Sequence, residues 1–219
     1  MKKKIFFDMI LNIVATSIPT VVLQLLILPS LSNYMDGNAY GLMVTILAVL
    51  NVVPSTIGNV LNNVRLLHEE SYKKDNEQGD FQILLTIFQA INLLIMVTVS
   101  IYYLGTKDIT GILLLIAVGI LWLGREYHIV AFRLKLDYIA ILANNLCLVA
   151  GYGIGYIFFM KNGYWQIIYL LGYILSYLHI VIASPIVKEP FTKTKRLRIV
   201  FNDSAFLLIS NVLARAIYY

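Results

Sequence analysis

Residues 81–104, FQILLTIFQAINLLIMVTVSIYYL, form one continuous, largely apolar run. As an α-helix this run would rise about 36 Å, enough to cross the ~30 Å hydrocarbon core of a bilayer. Strands of a membrane barrel are about half as long and alternate polar with apolar residues, so the run reads as a helix. On either side of it, similar stretches occupy residues 10–32, 40–64, 110–131, 138–160 and 165–187. The expected fold is all-α: a polytopic transmembrane helical bundle of about six complete helices plus part of a seventh.

Composition agrees with that reading. Hydrophobic residues make up 59% of the chain and charged residues 13%, with a mean hydropathy of +0.78, which leaves a water-soluble globule too little polar surface. The single Cys147 excludes an internal disulfide and a thiolate zinc cluster, and reads as a small packing residue. The first stretch is longer than the 7–15 apolar residues of a signal peptide and lacks a small-x-small cleavage site, so it reads as a retained helix.

The net charge of +5 is a statement about topology. With the amino terminus in the cytoplasm, nearly all Lys and Arg fall at the inner side, from Lys2, Lys3 and Lys4 to Lys193, Lys195, Arg196 and Arg198. Only Lys107 and Lys161 fall outside, and Arg215 lies in the last stretch. Nucleic acid is therefore not an expected partner; the bilayer is. Loops expected outside are short (32–39, 105–109, 161–164), and those inside longer (66–80, 188–199), which leaves no room for an outer catalytic domain. Tyr34, Tyr40, Tyr102, Tyr103, Tyr164 and Trp165 are expected as a belt at the outer boundary.

Polar residues inside the helices carry the functional signal. Asp8, Asn12, Thr16, Thr20 and Gln24 recur every fourth residue, beside Pro19, and give the first helix one polar face. The second helix repeats this with Asn51, Ser55, Asn59 and Asn63, joined by Asn62 and Arg65, while Pro54 and Gly58 are sites for a bend. In the last stretch Asn202, Asp203 and Ser204 read as a helix start, with Asp203, Asn211 and Arg215 compatible with one face. From 204 to 219 that helix would rise only about 24 Å, so the chain reads as a piece of a longer one.

Such faces must meet protein or water, since amides and charges are costly against lipid. One reading is a hydrated cavity lined by the first, second and seventh helices; the other is interhelical hydrogen bonding within a bundle. The candidate substrate contacts are Asn12, Thr16, Gln24, Asn59, Asn63, Arg65 and Arg125. Either Arg65 or Arg125 has the paired donors suited to a phosphate group, against an interfacial arginine or an Arg125–Glu126 pair. His128 reads as packed or interfacial, and Gly151 with Gly155 as a small-xxx-small packing face; the tyrosines of the fifth and sixth helices read as core.

No enzyme is expected, nor a cofactor or metal site. HExxH, GxSxG and a Gly-rich phosphate loop are absent, and Glu69-Glu70 with Lys73 reads as a water-exposed charge run.

Three features together resemble a known group. They are the Lys-led first helix; Tyr40-Gly41-Leu42 opening a second helix that closes Gly58-Asn59-Val60-Leu61-Asn62-Asn63-Val64-Arg65; and Gly124-Arg125-Glu126-Tyr127 leading to Phe132-Arg133-Leu134-Lys135-Leu136-Asp137-Tyr138. The chain resembles the first half of bacterial polysaccharide biosynthesis proteins, the O-antigen or capsular repeat-unit flippases of the multidrug/oligosaccharidyl-lipid/polysaccharide exporter superfamily. The resemblance implies two pseudo-symmetric six-helix lobes and alternating access around a central cavity in the plasma membrane. The substrate it implies is an undecaprenyl-diphosphate-linked oligosaccharide, moved without ATP hydrolysis, with polysaccharide-assembly proteins as further partners. On this reading 1–187 is the amino-terminal lobe, 188–200 a basic cytoplasmic linker and 201–219 the start of the next lobe. Two alternatives stay open: a non-transporting scaffold that docks assembly enzymes through the basic segment at 193–198, and a related drug or ion antiporter.

Overall fold

The computed structural model describes residues 2–75, 77–184 and 194–218, and they form an all-α bundle. Helix α1 (Lys2–Val22) runs into a π-helical segment (Leu23–Ile27) and then α2 (Leu28–Tyr34). There follow α3 (Gly37–Asp75), α4 (Gly79–Leu104), α5 (Ile109–His128), the short α6 (Val130–Leu134), α7 (Tyr138–Asn162), α8 (Gln166–Ala183) and α9 (Leu197–Tyr218). Six of these units are long and apolar enough to cross a membrane, and the protein is a multi-pass membrane protein. The side chains of Asp8 and Arg215, and residues Lys188 and Lys193, lie outside the described residues.

Aspartates start three of the helices. Asp36 Oδ1 accepts the backbone N–H groups of Asn38 and Ala39, Asp108 Oδ1 that of Gly111, and Asp137 Oδ1 that of Ala140. Each satisfies a donor that the first helical turn leaves open. Between α6 and α7 the chain turns through Leu136, at a φ of +54°.

Helices α7 and α8 pack closely against each other along their length. A Cβ on Gly151 would lie 2.4 Å from the Leu171 carbonyl oxygen, and one on Gly155 2.5 Å from Ile168 Cα, so the small-xxx-small face does bring the two backbones together. Around this pair the main apolar core gathers Leu148, Tyr152, Tyr169 and Tyr173 with Trp122 of α5, whose ring stacks 4.7 Å from Tyr173. Trp165, at the start of α8, is 6% exposed and packs edge-on against Tyr169; Tyr34 and Tyr102 are exposed.

Two helix ends depart from the sequence expectation. The polar run 66–75, read as loop, continues α3, because Arg65 and Glu69 pair one turn apart and Tyr72 buries its ring 5.0 Å from Phe81. Glu69 is thus tied to Arg65 and largely buried, while Glu70 is exposed. Helix α9 begins at Leu197, five residues before the expected Asn202, so Ser204 sits inside it and its hydroxyl bonds back to the Val200 carbonyl.

That earlier start has a visible cause. The Arg196 backbone N–H donates to Asp80 Oδ2 (2.8 Å), its guanidinium bonds Asp75 and reaches Glu77 Oε2 at 3.1 Å, and its carbonyl accepts the Tyr72 hydroxyl. The hydrogen bond it donates to Asp75, with Glu77 beside it, holds the Arg196 guanidinium above its ordinary pKa. Lys195 also reaches Glu77, so Lys195 and Arg196 of the basic segment are engaged within the chain.

Candidate functional site

α1 packs on α7, α3 packs on α5, and α1 and α3 stand apart. Between them lies a polar cavity of about 320 Å³. Its walls come from α1 and the π segment (Asn12, Thr16, Thr20, Gln24), α3 (Asn51, Ser55), the α5–α6 junction (Trp122, Arg125, Glu126, Arg133), α7 (Asn145, Tyr152) and α8 (Tyr173). Of the sequence candidates, Asn12, Thr16, Gln24 and Arg125 line it; Asn59, Asn63 and Arg65 do not. Of the expected third wall, α9 packs on α3 and α4, where Asp203 bonds His68 at 2.7 Å, and none of its described side chains lines the cavity.

From Asn12 to Gln24 the side chains of the α1 stripe are exposed. The side chains of Asn12, Thr20 and Gln24 make no hydrogen bond to the described residues, while the Thr16 hydroxyl donates back to the Asn12 carbonyl (2.9 Å) and keeps its lone pairs. Pro19 explains how this helix is anchored opposite. Lacking an N–H, it leaves the Ala15 carbonyl without its helical donor, and Asn145 Nδ2 supplies one at 2.8 Å.

Arg125, 6% exposed, is almost fully engaged. Its Nε donates to Ser176 Oγ (2.8 Å) and Asn144 Oδ1 (3.2 Å), Nη2 to Asn144 (3.0 Å) and Asn145, and Nη1 to Glu126 Oε1 (2.5 Å). One guanidinium thereby joins α5, α7 and α8, with its charge balanced by Glu126.

Arg133 stands differently. Its Nη1 donates to Asn62 Oδ1 at 3.1 Å, and among the described residues no carboxylate lies within ion-pair distance. Asn62 is fully buried; its Nδ2 donates to the Glu126 carbonyl (3.0 Å), which fixes the amide with its oxygen toward Arg133. The cavity wall thus carries the Arg125–Glu126 ion pair and, at Arg133, a second guanidinium with no carboxylate in direct contact among the described residues. Gly58 makes this junction close: a Cβ there would lie 2.4 Å from Glu126 Cβ, so the glycine serves helix contact.

Arg65 belongs to a separate apolar cluster. It is 1% exposed, donates to Tyr127 Oη (2.9 Å) and Glu69 (2.8 Å), and lies over the rings of Phe81 and Tyr127. Sequence reasoning passed over Glu126, Arg133 and Asn145 as cavity residues. The adjacent Asn144 and Asn145 deep in an apolar helix were the available signal, since amides in such a place need partners.

No family model matches this chain, and no curated protein or solved structure matches it.

Proposed function

We propose that this bundle is the amino-terminal lobe of a bacterial plasma-membrane flippase for undecaprenyl-diphosphate-linked oligosaccharide repeat units, amino terminus in the cytoplasm. The observation that carries the reading is the cavity itself. Unengaged carboxamides and hydroxyls on α1 suit a polyhydroxylated ligand, and Arg133 suits its diphosphate. The clustering of Lys and Arg supports the orientation. Arg125 positions the wall, and Asn62 positions Arg133.

The test is retention of an undecaprenyl-diphosphate oligosaccharide by the purified chain in nanodiscs, read by native mass spectrometry. The wild type is expected to retain it. Arg133→Gln is expected to weaken retention at least tenfold, the equivalent of about 1.4 kcal/mol from a charge-assisted contact, and Arg65→Met to leave it unchanged. No retention by the wild type, or equal loss in both variants, overturns the reading. Cation-dependent drug efflux by cells expressing the chain would select the antiporter instead.

A further inference from the structure

Arg125, Glu126 and Arg133 all line the polar cavity, and among the described residues that do so Glu126 is the one carboxylate. Its backbone is fixed, because a Cβ on Gly58 would already meet Glu126 Cβ at 2.4 Å and its carbonyl accepts from Asn62. Its side chain, 14% exposed, takes Arg125 Nη1 at 2.5 Å. Asn62 also accepts from Arg133, which stands within electrostatic reach of the same carboxylate. The wall's other titratable groups are Tyr152 of α7 and Tyr173 of α8, neutral at ordinary pH. From α1, the π segment and α3 it takes amides, hydroxyls and apolar groups without charge.

The remaining donors of Arg125 go to neutral groups: Nε to Ser176 and Asn144, Nη2 to Asn144 and Asn145. They hold the guanidinium in place whatever Nη1 binds. A phosphate oxygen accepts from a guanidinium as a carboxylate does, so Glu126 occupies a donor that an anionic ligand could use. With Glu126 ionised, two guanidiniums and one carboxylate leave the wall one positive charge; with Glu126 protonated, they leave two. A phosphodiester carries one negative charge and a diphosphate diester two. Negative charge brought beside a carboxylate disfavours its ionised form.

We propose that Glu126 selects the charge of the ligand. In the empty cavity its carboxylate holds the place of a phosphate group on Arg125 Nη1. A diphosphate sets one phosphate on Arg133 and the other in that place, so that the N–H···O–C bond gives way to N–H···O–P and Glu126 accepts one proton from solvent. The inference rests on the reading that the cavity takes a diphosphate.

The probes are the undecaprenyl-diphosphate and undecaprenyl-monophosphate forms of one oligosaccharide, offered to the purified chain in nanodiscs and read by native mass spectrometry. Glu126→Gln, which keeps an oxygen acceptor for Arg125, is expected to raise retention of the diphosphate by about tenfold or more at neutral pH, and that of the monophosphate by less than about threefold. Wild-type retention of the diphosphate should strengthen as pH falls from about 8 to about 6, because the bound state holds the extra proton; in Glu126→Gln that dependence should vanish. Should Glu126→Gln fail to fold, the wild-type pH series carries the test, with the monophosphate as its pH-independent control. Equal gains for the two ligands, or wild-type retention of the diphosphate that ignores pH, would overturn the proposal and leave the diphosphate reading standing. Retention of neither form by the wild type would overturn both.

Discussion

Arg125 and Arg65 are both nearly excluded from solvent at the basic half of neighbouring helices, yet their surroundings give them different work. Arg125 is held by amides, a hydroxyl and a carboxylate from three helices and faces the polar cavity. Arg65 is sandwiched by aromatic rings inside an apolar cluster and pairs with Glu69 on its own helix. The lesson is that a buried arginine's neighbours, rather than its depth, decide whether it shapes a site or packs a core. Arg133, with a single amide partner, is a third kind: positioned, but left with charge to offer.

The sharpest way to break this contrast is Arg125→Leu. It strands Glu126 and removes the group joining α5, α7 and α8, so unfolding in an SDS titration should show a loss of about 3–5 kcal/mol. Replacing the pair together, as Arg125→Leu with Glu126→Leu, should recover most of that loss. If the single variant unfolds like the wild type, Arg125 is not the strut described. Arg65→Met comes next: losing hydrogen bonds from a charged group should cost about 1.5–3 kcal/mol in the same titration, with ligand retention intact. A variant of normal stability that lost retention would exchange the roles given to the two arginines. Asn145→Leu, which loses the hydrogen bond to the Ala15 carbonyl that Pro19 leaves open and the one accepted from Arg125, should cost no more than about 3 kcal/mol. A cost as large as that of Arg125→Leu would mean that Arg125 matters chiefly by holding Asn145.

The membrane-length helices were legible because the cost of placing residues in hydrocarbon sums over some twenty positions and drowns local detail. The α1 stripe was legible for a similar reason, since a four-residue repeat keeps one face for several turns. Ends were not: a helix that leaves the bilayer can be as polar as a loop, and only the Tyr72–Phe81 contact and the Arg196 clasp show that α3 runs on and α9 starts early. Within the site, a lone sequence does not say which helices abut. Arg133 reads like any arginine at a membrane boundary until Asn62, 71 positions away, is seen to hold it. The same blindness placed Asp203 of α9 on the cavity face, when it bonds His68 instead.

The π-helical segment Leu23–Ile27 has a consequence for ancestry. A single wide turn inside an α-helix is what one inserted residue leaves behind when the contacts on both flanks keep their register, and here Ala15 before it and Leu31 after it are fully buried. Relatives of this protein, when aligned, should therefore show a one-residue gap within positions 23–27, and deleting one residue there should be tolerated better than deleting one anywhere else in Ile10–Tyr34.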